Sequence, residues 1–167
     1  MADTPRIHVD DIIIRRAAQA DASSIGDLWT KLVKYHTELD PRLPSATRHG
    51  AQLYARGIEG RLEDHYSRVL VAEHNGTVVG YVLGIISDMV PDMFQETTIG
   101  FLADIYVEEA YRQHGVGRKL VTALMDWFKS RGVAHMEWHV SAHNESGRLF
   151  WQSLGGTDIM YRMRLEL

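Results

Sequence analysis

The spacing of apolar positions along the chain changes several times, and each change marks an element. Ile12 to Arg16 reads as a short strand. Ile25, Leu28, Trp29, Leu32, Val33 and His36 then recur at helical spacing and predict a first helix with one buried face. Leu39-Asp40-Pro41 closes it, because the residue before a proline avoids the helical region. Tyr54, Ile58 and Leu62 outline a second, weaker helix, diluted by Gly57 and Gly60. Val69 to Glu73 and Thr77 to Ile86 are β-branched runs joined by His74-Asn75-Gly76, and Asn-Gly predicts a hairpin because both residues tolerate positive φ. Asp88 to Gln95 is expected as a loop and Thr98 to Val107 as a central strand. The turn-like stretch Glu108 to Gly117 leads into a helix bearing Leu120, Leu124, Trp127 and Phe128 and stopped by Gly132. His135 to Ser141 reads as another strand, and Asn144 as the cap of a short helix that Gly155 ends. Ile159, Tyr161, Met163, Leu165 and Leu167 then alternate as a last strand. The predicted order is β-α-α-β-β-β-α-β-α-β, an α/β sheet with helices on both faces.

Composition narrows this picture without redirecting it. A chain of 167 residues, 45% hydrophobic and without repeat or linker, is read as one domain over 1–167, with 1–10 as a flexible N-terminus. A net charge of -4 with the two signs interspersed argues against nucleic acid as a partner. The absence of cysteine excludes disulfides, thiolate metal clusters and a Cys nucleophile. No apolar run approaches a membrane span, and Ile12 to Ile14 is too short for a signal-peptide core, so the expectation is a soluble, cytoplasmic protein.

The candidate chemistry lies in Ile105-Tyr106-Val107 and, after a short gap, Arg112-Gln113-His114-Gly115-Val116-Gly117-Arg118. A strand runs into a loop with two glycines one residue apart, and the loop opens directly into a helix. The first-turn N–H groups of that helix have no internal partner and can bind phosphate oxygens. Gly115 and Gly117 allow close backbone approach, and Arg112 and Arg118 supply cations. Leu120 stands where a dinucleotide fingerprint needs its third glycine, and the Gly-Lys-Ser/Thr of a P-loop is absent. A phosphate-bearing cofactor is implied; a plain turn that starts an amphipathic helix is the alternative.

The segment Asp104 to Gly117 resembles the signature of the GNAT acetyltransferases, Arg/Gln-x-x-Gly-x-Gly/Ala after a central strand. A second family element, Asn before a short helix with an aromatic pair and a closing glycine, is similar to Asn144 to Gly155, and the element order fits over nearly the whole chain. The resemblance implies a mixed, splayed sheet of about six to seven strands with acetyl-coenzyme A, as cosubstrate, in the cleft. It further implies that backbone groups at Ile105, Tyr106 and Val107 pair with the pantetheine arm and that the loop at Gln113, His114, Gly115, Val116, Gly117 and Arg118 cradles the pyrophosphate. Asn144 matches a position that touches the cofactor arm, with helix capping as the equal alternative. The activity implied is transfer of an acetyl group to a primary amine, with a small-molecule acceptor as partner and a homodimer left open. A polyamine, an amino acid, an antibiotic and a protein amine all remain open as acceptors.

Acetyl transfer needs a neutral amine, and a lysine-like amine has a pKa near ~10.4, so a base or a desolvating pocket is required. Asp104 is the first candidate for base or substrate anchor, with Glu96, Glu137 and His139 behind it. The polyamine-acetylating branch, which the chain resembles at Asp104 to Val107 and from Asn144 to Phe150, commonly carries Glu just before that Asp, where Ala103 stands here. The family's usual acid is a Tyr after the Phe150 position; Trp151 occupies it, is counted with the cofactor-binding positions, and reads more readily as core. Tyr106 and Tyr161 are the substitutes for an acid, although a thiol of pKa near ~8.5 leaves readily without one. His135, His139 and His143 recur every four residues, but four strand residues span ~13 Å, so no metal is expected. Asp88, Asp92 and Glu96 are read as a solvated loop face that could also attract a cation. Two other readings compete: a catalytically weak acyl-coenzyme A sensor and a nucleotide transferase.

Overall fold

The Asn-Gly pair organises the sheet. In the computed structural model, which describes residues 8–87 and 98–167, Asn75 and Gly76 both have positive φ, 49° and 78°. This is the twist that lets a tight turn join β2 (Ser67–His74) to β3 (Thr77–Ser87) antiparallel, with His74 opposite Thr77. β1 (Ile13–Arg16) adds antiparallel to β2, and β4 (Ile99–Val107) antiparallel to β3. β5 (Met136–Trp138) adds parallel to β4, giving the order β1-β2-β3-β4-β5.

Helices cover both faces. On one, α1 (Ala22–Leu39) and α2 (Gly50–Glu59) bury Ile25, Leu28 and Ile58 against Val71, Tyr81 and Leu83. On the other, α3 (Val116–Ser130) and α4 (Glu145–Ser153) bury Leu120, Leu124, Phe128 and Trp151 against Leu70, Val82 and Leu102. Arg15 ties β1 to the start of α1. Its guanidinium donates to both Asp21 oxygens at 2.7 and 2.9 Å and through Nε to Glu73 at 2.7 Å. These bonds, with one from Ala18 N–H, hold the Asp21 carboxyl below its ordinary pKa.

Two expectations need correction. The last strand does not join the sheet: 156–167 has no regular secondary structure and pairs with no described strand, so the described sheet has five strands where six to seven were expected. The alternation of that segment is real, but the chain's own fold leaves its apolar side uncovered. The strand expected over His135 to Ser141 shrinks to Met136–Trp138, because β5 leaves β4 after three paired positions. Residues 1–7 and 88–97 lie outside the described residues, and with them most of the expected flexible N-terminus, the Asp88 to Gln95 loop, and Asp88, Asp92 and Glu96. Within the expected N-terminus, Val9–Asp11 forms a short 3-10 turn.

Gly84 and Gly100 let α3 lie close on the sheet. A Cβ at Gly100 would fall 2.9 Å from the Phe128 ring, and one at Gly84 within 3.0 Å of Phe128 and closer still to Leu124. Gly84→Val is therefore expected to cost about 1–3 kcal/mol by overpacking, read as a lower Tm in thermal denaturation. An unchanged Tm would show that α3 does not pack this tightly.

Candidate active site

The loop before α3 is shaped by two left-handed residues. Gln113 has φ 62° and Gly115 φ 83°, and the helix begins at Val116. The first backbone bond into the helix is Lys119 N–H to Gly115 C=O at 3.0 Å. Among the described residues, the N–H groups of Gln113 through Arg118 donate to no backbone carbonyl. A run of free donors in a loop of this curvature, at the positive end of a 15-residue helix, is a receptacle for an anion such as a pyrophosphate.

β4 supplies the second open surface. It pairs with β5 only at Gly100, Phe101 and Leu102 and from there to Val107 is paired on its β3 side alone among the described strands. The backbone of Asp104 to Val107 therefore has an open edge facing the departing β5, suited to the amides of an extended ligand. Free donors at the loop and a free strand edge leading to it fit a long, amide-bearing pyrophosphate cofactor.

Arg112 is held by neighbours outside the loop. Its Nε donates to Val107 C=O at 3.0 Å, and the guanidinium lies over the rings of Tyr35 and Tyr106 at 5.2 and 5.1 Å. Arg118 is exposed and donates to Ser153 Oγ at 3.1 Å. His114 meets Arg112 C=O through Nδ1 at 2.8 Å, which tightens the loop. A Cβ on Gly117 would approach the Phe150 ring no closer than 3.4 Å, an ordinary contact.

The other side of β4 carries a buried polar cluster. Opposite β3, Leu83 pairs with Asp104 and Gly84 with Leu102, so Ala103 is an extra residue in β4. The bulge turns Asp104 to the face that Ala103 and Tyr106 share with α1 and α2, while Leu102, Ile105 and Val107 pack on the α3 side. There the Tyr54 hydroxyl donates to Asp104 Oδ2 at 2.7 Å. Tyr54 is stacked on Trp29, ring centres 4.9 Å apart, and meets Tyr81 edge-on at 6.2 Å. The buried Tyr81 hydroxyl has no hydrogen-bond partner among the described residues. Burial pushes the Asp104 carboxyl above its ordinary pKa, and the bond from Tyr54 pulls it partly back. Burial, and then the Asp104 charge, push the Tyr54 phenol well above its own ordinary value.

The remaining candidates disperse. Glu137 lies 3.4 Å from His135, His139 packs edge-on against Phe101, and His143 approaches Arg42 and Asp40. Asn144 Oδ1 accepts from Gly147 N–H at 2.9 Å, the capping bond, and from Tyr35 Oη at 3.2 Å. Trp151 is buried against Trp138, ring centres 4.5 Å apart. Tyr161 is 81% exposed in the C-terminal segment. Tyr35 and Trp29 were missed as site residues, since at helical spacing an aromatic reads as core; Tyr54 was seen only as part of an apolar stripe.

A loop of free donors at a helix start, beside a parted sheet, is a surface suited to an extended, phosphate-bearing ligand. The chain matches the Acetyltransferase (GNAT) family over residues 28–155 and belongs to that family. It is an acyltransferase of the N-acetyltransferase kind, a class that takes acetyl-coenzyme A as cosubstrate. It is 25% identical to the uncharacterized N-acetyltransferase YhfO of Bacillus subtilis over 85% of this chain and 87% of that protein. It is 29% identical to the L-amino acid N-acyltransferase MnaT of Escherichia coli, over 85% of this chain and 77% of that one. Among solved structures, a mutant of the BH1408 protein of Bacillus halodurans superposes with a TM-score of 0.81 at 24% identity, covering 93% of this chain and 99% of that one. The aminoglycoside N-acetyltransferase AAC(6')-Iy in complex with CoA shares the fold with a TM-score of 0.66 at 22% identity, covering 97% and 99%. Among the described residues no helix is long and apolar enough to cross a membrane.

The raised pKa of Asp104 has a sign that stability measurements can check. A carboxyl whose folded pKa lies above the unfolded value of ~3.9 favours folding fully only below that value, and the contribution is lost as pH rises through the folded pKa. Asp104→Asn removes the charge that is costly to bury. The variant is expected to melt above the wild type at pH 7, with the gap closing toward pH 4; a gap independent of pH would contradict the burial of this carboxylate.

Proposed function

We propose that this chain acetylates the primary amine of a small cationic molecule, with Asp104 anchoring the ammonium group and taking its proton. The observation that carries this reading is the Tyr54–Asp104 cluster, a carboxylate turned by a bulge into an aromatic-walled site one residue from the free edge of β4. Aminoglycoside N(6')-acetyltransferase type 1 of Salmonella typhimurium, 27% identical over 66% of this chain and 78% of that one, acetylates an aminoglycoside and supports a small-molecule amine as acceptor.

The residues divide the work by position. The free N–H groups from Gln113 to Arg118 would hold the pyrophosphate, and the open backbone of Ile105 to Val107 the pantetheine arm. Bound acetyl-coenzyme A supplies an acyl carbon activated by a thiol leaving group. Tyr54 occupies Asp104 Oδ2, which leaves Oδ1 to meet an ammonium N–H. The stacked rings of Trp29 and Tyr54 wall the same site, and the unpartnered Tyr81 hydroxyl offers a further polar contact. Transfer of one proton from ammonium to Asp104 then exposes the nitrogen lone pair for attack. Neither Trp151, packed in the core, nor Tyr161, exposed on the tail, is placed as an acid, and a thiolate of conjugate-acid pKa near ~8.5 departs without one.

For a small cationic amine, kcat/KM is expected to rise as Asp104 ionises through its raised pKa and then to level while the amine remains an ammonium, and Asp104→Asn to lower it by ~10²–10⁴ in an assay of thiol release. Release undiminished in Asp104→Asn would remove the carboxylate from the chemistry, and tight coenzyme A binding without release for any amine would make the chain a sensor.

Gly117→Ala tests the cradle separately. The added methyl meets only ordinary contacts in the free protein, so Tm is expected to stay near wild type while calorimetric affinity for coenzyme A falls at least about tenfold, because the ligand must approach that backbone closely. Unchanged affinity would place the pyrophosphate elsewhere.

A further inference from the structure

Helices α1 and α4 lie on opposite faces of the parted sheet, and Tyr35 joins them. It stands near the end of α1 and reaches the start of α4, where its hydroxyl donates to Asn144 Oδ1 at 3.2 Å and lies 3.2 Å from Ser146 Oγ. The ring is met from the β4 side as well. Arg112 sits over it at 5.2 Å and over Tyr106 at 5.1 Å, and the same guanidinium donates through Nε to Val107 C=O at 3.0 Å. A phenol ring and a guanidinium together span the gap from the end of β4 to Asn144.

The donors around Asn144 decide which way its amide faces. Gly147 N–H, which can only donate, reaches Oδ1 at 2.9 Å, Ser146 Oγ donates to the same oxygen at 3.2 Å, and Tyr35 supplies a third bond. Asn144 Nδ2 is then the free end, with no hydrogen-bond partner among the described residues. Gly147 makes room for this arrangement, since a Cβ there would fall 2.5 Å from Nδ2. Capping the helix needs only the bond from Gly147. The bond from Tyr35 does something else.

We infer that Tyr35 is a positioning residue for the cofactor: by holding Oδ1 from α1, it presents Asn144 Nδ2 as a donor to an amide carbonyl of the arm, an inference that rests on the cofactor reading above. An extended arm that pairs along one strand turns its other polar edge away from that strand. In this fold that edge faces the side from which β5 has departed, and the chain beyond β5 carries Asn144 there. A side chain already fixed by three bonds loses little rotamer freedom when the ligand arrives, so the tie from α1 favours binding.

Calorimetry of coenzyme A binding to the full chain, arranged as a double-mutant cycle, tests this. Tyr35→Phe keeps the ring beside Arg112 and removes only the hydroxyl, while Asn144→Ser keeps a helix cap and removes the amide. Tyr35→Phe is expected to weaken binding about fivefold, the effect of one hydrogen bond, and Asn144→Ser by at least as much. In the Asn144→Ser background, Tyr35→Phe should then change affinity by less than about twofold, because the group it positions is gone. Equal losses from Tyr35→Phe in both backgrounds would make Tyr35 an independent contact and overturn the inference. So would wild-type affinity in either single variant. A wild type that does not bind coenzyme A would instead overturn the cofactor reading itself, and this inference with it.

Discussion

The parting of β4 from β5 is the constraint on which the rest of the molecule depends. A sheet normally satisfies its interior backbone groups by pairing every strand, and a gap between two neighbouring strands leaves donors and acceptors that need another partner. Here the two strands are held together at Gly100 to Leu102 and no further. Phe128 packs over Gly100 on one side of the junction, and Trp138 stacks on Trp151 next to it, which fixes where the cleft begins. Beyond that point β4 offers an open edge that runs toward the free donors of the loop before α3. Fold and proposed site are thus one feature: the interruption of the ladder is the surface we propose for the ligand.

The bulge at Ala103 adds the second chemistry. One extra residue turns Asp104 away from the α3 core and into the space between β4, α1 and α2, where a carboxylate is expensive to bury. Tyr54 offsets part of that cost with one hydrogen bond, and Tyr81 leaves a hydroxyl without a partner. Groups so placed weaken the fold, and this is the pattern expected where a site rather than the core sets the residue choice.

The elements that local pattern determines were legible in the sequence. Asn75-Gly76 announced its turn through backbone tolerance, the stripe on α3 through its period, and the turn before α3 through Gly115 and the helix that follows it. What depended on contacts between distant segments was not legible. Tyr54 and Asp104 are fifty positions apart, and nothing local says that a tyrosine on a weak helix will hold a strand carboxylate. The bulge was equally hidden, because Ala103 and Asp104 read as successive alternating positions until the register with Leu83 and Gly84 is known. Arg112, expected as a cationic partner of the anion, lies over Tyr35 and Tyr106 in the free protein, and the Tyr35 contact, supplied by α1, was not legible. For the last segment the period was read correctly, but alternation states only that one side seeks cover and not where the cover comes from.

The central claim is that the free donors of the Gln113 to Arg118 loop and the open edge of β4 form one cofactor surface. Backbone amide chemical shifts followed during titration with coenzyme A, and with ATP and NAD for comparison, test it most directly. The account predicts large coenzyme A-dependent shifts at residues 113–118 continuing along 104–107, with ATP and NAD producing much smaller ones. Shifts confined to other segments, or equal responses to all three ligands, would contradict it.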